Sequence, residues 1–180
     1  STLKCYFEGK KELFKGLAID KLEKEWKQYP VFHLDFNGNN FTNPGELEVI
    51  LENFVASQEM IYGKSPFRDS LGGRFEYVLK AAHERTGLRA VVLIDEYDVP
   101  LAKAQSYGYH KDMVTLMSSF LGFLKDSQKD PETNKPVVKK VILTGCLKVA
   151  KNSIFTGVNK LKVNTVTNKI DNYTGMIGFT

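Results

Sequence analysis

Cysteine is scarce in this chain: 180 residues hold two, Cys5 and Cys146, far apart and with no partner pattern. That argues against a disulfide scaffold and a cysteine-rich zinc site. It points to a reducing compartment, so the expected location is the cytoplasm. Long apolar runs are missing too. None approaches the roughly 20 residues that span a bilayer, so neither a membrane partner nor a secretory leader is expected. Charge of one sign is not concentrated. Lysine plus arginine is 25 against 21 acids, a net charge of +4, with the lysines scattered. Without a basic arm, nucleic acid is expected to bind only through a domain outside these residues.

Several catalytic signatures are absent. His33, His83 and His110 lie far apart, and none pairs with cysteine or a second histidine at ligand spacing. No G-x-S-x-G or Cys/His arrangement offers a hydrolytic nucleophile. A phosphate loop, G-x-x-x-x-G-K-[ST] between strand and helix, is also missing. Gly63-Lys64-Ser65 is its nearest approach, but Gln58 stands where the first glycine belongs. The stretch before it reads as helix, and Pro66 follows.

What is present is an alternation of elements. Leu3, Tyr6 and Phe7 sit at helical spacing from almost the first residue, as though the chain began inside a helix and upstream residues had been removed. A short second piece follows at 11–17. A charged surface helix is predicted over 20–28, ending before Pro30. "VFHLDF", 31–36, reads as a strand. Asn43-Pro44-Gly45-Glu46 opens a helix, with asparagine as cap and proline at the first position. Ser65-Pro66 is expected to open another, which Gly87 ends.

"RAVVLID", 89–95, is a continuous apolar run typical of a strand buried on both faces. Met113 to Leu124 carry a long helix, 127–136 a polar loop, and "KKVILTG", 139–145, a further buried strand. "KLKVNTV", 160–166, is a weaker strand candidate. Such alternation predicts one α/β domain with a mostly parallel sheet, whose ligands bind at the carboxyl ends of the strands.

Three strands end there in polar residues: Asp35, Asp95-Glu96 and Thr144. Adjacent carboxylates leave a strand end in different directions, which suits two tasks. One holds Mg²⁺ through water and the other orients or deprotonates the attacking water of a nucleotide hydrolase. The plainer reading is that Asp95-Glu96 ends a strand and caps the next turn. Tyr97 and Asp98 are expected in the loop beyond. Thr144 either contacts the γ-phosphate or the water, or makes only local hydrogen bonds.

Three blocks in order, "YFEGKKELFKGLAIDKLEKEWKQYPVFHLDF", "AVVLIDEYDVPL" and "KKVILTGCLKVAKNSIFTGVNKL", resemble the AAA-ATPase-like family abundant in Bacteroides-type gut bacteria. Its members are P-loop ATPases, many with a predicted PD-(D/E)xK-type nuclease domain at the carboxyl end. The resemblance implies a three-layer P-loop NTPase-like (ASCE/AAA-like) core, incomplete at the amino terminus, with residues 1–180 as a single partial domain. In the family a Walker A loop of the "FGKS" kind sits just before a helix like "STLKCYFEG", and a "GFT" resembling Gly178-Phe179-Thr180 is followed by further helices. By the same resemblance Asp95 is the Walker B magnesium ligand, Glu96 the catalytic glutamate and Thr144 the sensor residue. Lys148 is a phosphate contact or a solvated loop lysine, and Asp35 faces the same crevice or caps its loop.

The implied ligands are ATP and Mg²⁺, bound weakly or not at all by these residues alone. The implied Walker A strand lies beside the strand ending at Thr144, so the exposed edge is expected to favour a homo-oligomer or a strand-swapped dimer. The alternative is a non-catalytic interaction module with a degenerate NTPase fold. A nuclease is a third reading, but no compact D…ExK motif supports it.

Overall fold

The structure, a computed structural model, describes residues 1–67, 69–124 and 129–146. Helix α1 covers Thr2–Phe7, α2 Ala18–Leu22, α3 Pro44–Tyr62, α4 Leu71–Thr86, α5 Val99–Tyr107 and α6 His110–Phe120. Strands β1 (Val31–Asp35), β2 (Ala90–Asp95) and β3 (Val138–Leu143) form a parallel sheet in the order β1-β2-β3. The expected α/β class and parallel sheet are therefore present.

Strand β2 is central, and its first five residues are buried. That is why its sequence runs apolar without alternation. Its register with β1 pairs Val31 with Val91 and Asp35 with Asp95. On one face Phe32, Leu34, Val92 and Ile94 join the large core beneath α3, α4 and α6. Within that core Phe75 stacks on Phe120 with ring centroids 5.1 Å apart, and Phe32 meets the Phe75 ring edge-on. On the other face Val91 and Leu93 pack with Phe7 of α1, flanked by Tyr6, Tyr29, Val31 and Ile142.

Local chemistry sets the helix ends. The Asn43 side chain accepts the Gly45 N–H, and Glu46 accepts from the Thr42 and Asn43 side chains, so the predicted start of α3 holds. Gly87 ends α4 with φ +66°, the left-handed region glycine enters without a Cβ clash.

Four expectations need correction. The charged helix over 20–28 stops at Leu22, because tertiary contacts win over its pattern. Glu23 accepts the Tyr6 hydroxyl at 2.7 Å, and Trp26, at φ +41°, lays its ring against Tyr6 and Phe14. Ser65-Pro66 does not open α4. Ser65 Oγ bonds Asp69 and closes a local turn, while Ser70 caps the helix by accepting the Gly73 N–H. The long helix over 113–124 ends at Phe120 and tightens into a single 3-10 turn. Finally, β3 is half-exposed rather than buried, because among the described residues only β2 pairs with it. Helix α5 had not been anticipated. The strand candidate at 160–166 lies outside the described residues.

Candidate functional site at the carboxyl ends of the strands

Parallel pairing brings the predicted residues together. Asp95 ends the central strand, level with Asp35. Beyond β3 the Thr144 N–H donates to the Ile94 carbonyl, and the Tyr97 N–H donates to the Thr144 carbonyl. These two bonds place the Thr144 side chain beside Asp95, where its hydroxyl donates to Oδ1 at 2.8 Å. The other carboxylate oxygen, Oδ2, lies 2.7 Å from Nε2 of His33. An ionised carboxylate only accepts, so Nε2 carries the proton.

Burial by itself pushes the Asp95 carboxyl up. Hydrogen bonds from His33 and Thr144 outweigh it, with the His33 ring adding attraction, and the carboxyl sits below its ordinary value. Asp95 is therefore a preformed anion at neutral pH.

Glu96 follows in the left-handed region at φ +55°, uncommon for a residue with a side chain. The chain leaves the sheet there, and the Glu96 carbonyl accepts the Val99 N–H at 3.1 Å as α5 begins. No side-chain partner for its carboxylate lies among the described residues. Asp35 takes its plainer role: Oδ1 accepts the Asn37 N–H at 2.9 Å and closes the loop. Lys148 lies outside the described residues.

Two residues were missed by sequence reasoning. His33 looked isolated, yet it stands one pleat behind Asp35 and on the same face as Asp95. Asp98 looked like a loop residue, but it is 4% exposed, and its Oδ2 accepts the Cys146 N–H at 2.9 Å. The local signal was Asp98 ahead of Pro100, with Leu101 and Ala104 at helical spacing and Gly108 as the stop, which marks α5.

Asp95, Glu96 and Thr144 offer hard oxygen donors, the kind Mg²⁺ takes. No group of three or more His, Cys, Asp or Glu among the described residues is arranged to hold a metal alone. A cavity lined by Tyr6, Phe7, Trp26, Tyr29 and Lys139 opens at the amino ends of the strands, away from this site.

A family profile described as "Predicted AAA-ATPase" matches residues 1–155. The chain belongs to the AAA-ATPase-like family. It is also 27% identical over 179 residues to an uncharacterized protein in the vnfD 5′ region of Azotobacter chroococcum mcd 1, covering 99% of this chain and 33% of that protein. The chain thus spans about a third of the length of the curated relative it matches. No solved structure matches this AAA-ATPase-like chain. No helix among its described residues is long and apolar enough to cross a membrane.

Proposed function

We propose that Asp95, Glu96 and Thr144 are the metal and water half of an ATP site in a P-loop ATPase. One observation carries this reading: the acid that ends the central parallel strand is bonded, at 2.8 Å, to the hydroxyl that ends the neighbouring strand. The strand order β1-β2-β3 and the family membership support it.

Asp95, held ionised, would bind the waters of Mg²⁺. The cation, when bound, neutralises charge on the phosphate oxygens. Glu96, turned out of the strand direction, orients the attacking water and takes its proton. Thr144 spends its one proton on Asp95, so its remaining capacity is to accept. It therefore receives a hydrogen bond from water rather than giving one to phosphate.

The phosphate-gripping half, a Walker A loop, belongs to residues preceding Ser1 in the intact protein. The 180 residues alone would then bind ATP weakly and hydrolyse none. Lys148 as a phosphate contact, ATP as ligand and a Bacteroides-type parent with a nuclease domain rest on the resemblance.

The test is ATP turnover by the intact protein and its Asp95→Asn and Glu96→Gln variants. Loss of hydrolysis in both, with ATP still bound by Glu96→Gln, is expected. Wild-type turnover in either variant would sink the reading. No turnover and no ATP binding by the intact wild type would favour the non-catalytic interaction module.

A further inference from the structure

We propose that His33 is the positioning residue that sets the Asp95 carboxylate for Mg²⁺, an inference that rests on the ATP-site reading above. The argument begins with the carboxylate. An aspartate at a strand end turns about its terminal torsion, which is broad and roughly two-fold. A carboxylate free to turn presents its lone pairs to a hydrated cation in many orientations. Here the two oxygens are held from opposite sides. Thr144 donates to Oδ1 at 2.8 Å and His33 to Oδ2 at 2.7 Å. Each oxygen keeps a lone pair, so the pair fixes the plane of the group without exhausting it.

The two donors differ in strength of support. Thr144 is exposed and stands past the end of a half-exposed strand. The His33 side chain is only 16% exposed, and its backbone lies inside β1, level with Leu93 in the sheet. Its neighbours Phe32 and Leu34 are anchored in the core on the opposite face. His33 is thus the rigid donor and Thr144 the adjustable one. His33 is not itself a magnesium ligand. Its Nε2 is already engaged by Asp95, and Mg²⁺ prefers oxygen to imidazole. It acts from behind the ligand, as residues that bond to metal-bound carboxylates do, and their loss commonly costs about 10–100-fold in metal affinity.

A merely structural histidine would give stability and nothing more, so the test separates the two. The full-length protein is titrated with Mn²⁺ in the presence of a non-hydrolysable ATP analogue, and bound Mn²⁺ is followed by electron paramagnetic resonance. His33→Leu fills the space but cannot donate. His33→Gln carries an N–H at nearly the reach of Nε2. We expect His33→Leu to weaken Mn²⁺ about 10–100-fold and His33→Gln to stay within about threefold of wild type. In turnover the Leu variant should raise the Mg²⁺ concentration needed for half-maximal rate more than it lowers the rate at saturating Mg²⁺.

Asp95→Asn is titrated alongside. If Asp95→Asn weakens Mn²⁺ and His33→Leu does not, the positioning role is overturned while the ATP-site reading stands. If neither weakens it, the metal site itself is wrong. A Gln variant as poor as Leu also overturns the proposal, because the hydrogen bond would then not be what matters. A fall in melting temperature for His33→Leu without a change in affinity would make His33 structural only.

Discussion

Asp98, at the start of α5, holds the turn that follows β3: its Oδ2 accepts the Cys146 N–H at 2.9 Å. A buried carboxylate from one crossover thus fixes the backbone beyond the next strand. Gly145 sits against the same group, and a Cβ there would lie 2.3 Å from Asp98 Oδ1 and 2.9 Å from the Tyr97 ring. Asp98→Ala should therefore destabilise the protein by about 1–3 kcal/mol, while Asp98→Asn keeps an acceptor and loses less. Gly145→Ala should cost about 1–3 kcal/mol by overpacking and should displace Thr144. Urea denaturation measures the first effect. The second should appear as reduced turnover in the intact protein, and unaltered turnover would contradict it.

Thr144 has one hydroxyl proton, and Asp95 takes it. Thr144→Val, nearly the same shape, removes the donor. We expect a loss of turnover of about 10–100-fold, the range for a hydrogen bond to a charged group, with nucleotide affinity little changed. Thr144→Ser should recover most of the rate. Steady-state hydrolysis by the intact protein decides it, and equal rates for Val and Thr would refute the role.

Arg74 joins α4 to α3. Its Nε and a terminal nitrogen grip buried Glu59 at 2.9 and 2.8 Å, and its other terminal nitrogen reaches Glu52 at 2.6 Å. Arg74→Met leaves Glu59 without its partner and should cost about 3–5 kcal/mol. Replacing Glu59 by Leu as well should recover much of that loss.

The same pair shapes the acid limb of stability. The Arg74 hydrogen bond holds the Glu59 carboxyl below its ordinary 4.5, against the upward push of burial. Asp130 is held down at about 2, chiefly by hydrogen bonds from Thr133, with His83 contributing. Both carboxyls bind a proton more readily in the unfolded chain. Their stabilisation is full above the ordinary carboxyl range and is lost as pH falls through the lowered native values. Melting temperature followed from neutral pH into acid should fall for wild type and fall less steeply for Arg74→Met.

The outer edge of β3 is the fifth test. Among the described residues β3 pairs on one side only, and the resemblance puts a further strand beside it. The 180-residue chain should therefore associate as its concentration rises, through backbone pairing at that edge. Light scattering measures this, and a monodisperse monomer at all concentrations would count against it.

How far the sequence revealed this depended on the range of the interactions. Burial on both faces made β2 legible from "VVLI" alone, and Asn43 and Gly87 marked helix ends through chemistry within a few residues of themselves. The acid pair at 95–96 was visible for the same reason. His33 was not, because its partner is 62 residues away, and nothing local distinguishes it from an ordinary strand histidine. Trp26 and Ser65 misled in the opposite sense. Trp26 sits in a stretch with a helical pattern and is drawn out of it by the Tyr6 and Phe14 rings; Ser65 precedes a proline as a helix cap would, yet its hydroxyl bonds Asp69 and the helix starts after Ser70.

The two faces of the sheet differ in depth. His33 and Asp95 project from the side shared by Val31, Val91 and Leu93, where Phe7 provides the main cover, whereas most of the apolar core lies on the other side. The candidate site and the larger core therefore sit on opposite faces of one sheet. Substitutions at His33, Asp95 or Thr144 leave the packing of Phe32, Phe75 and Phe120 untouched, so changes at the site and changes in the scaffold can be made separately.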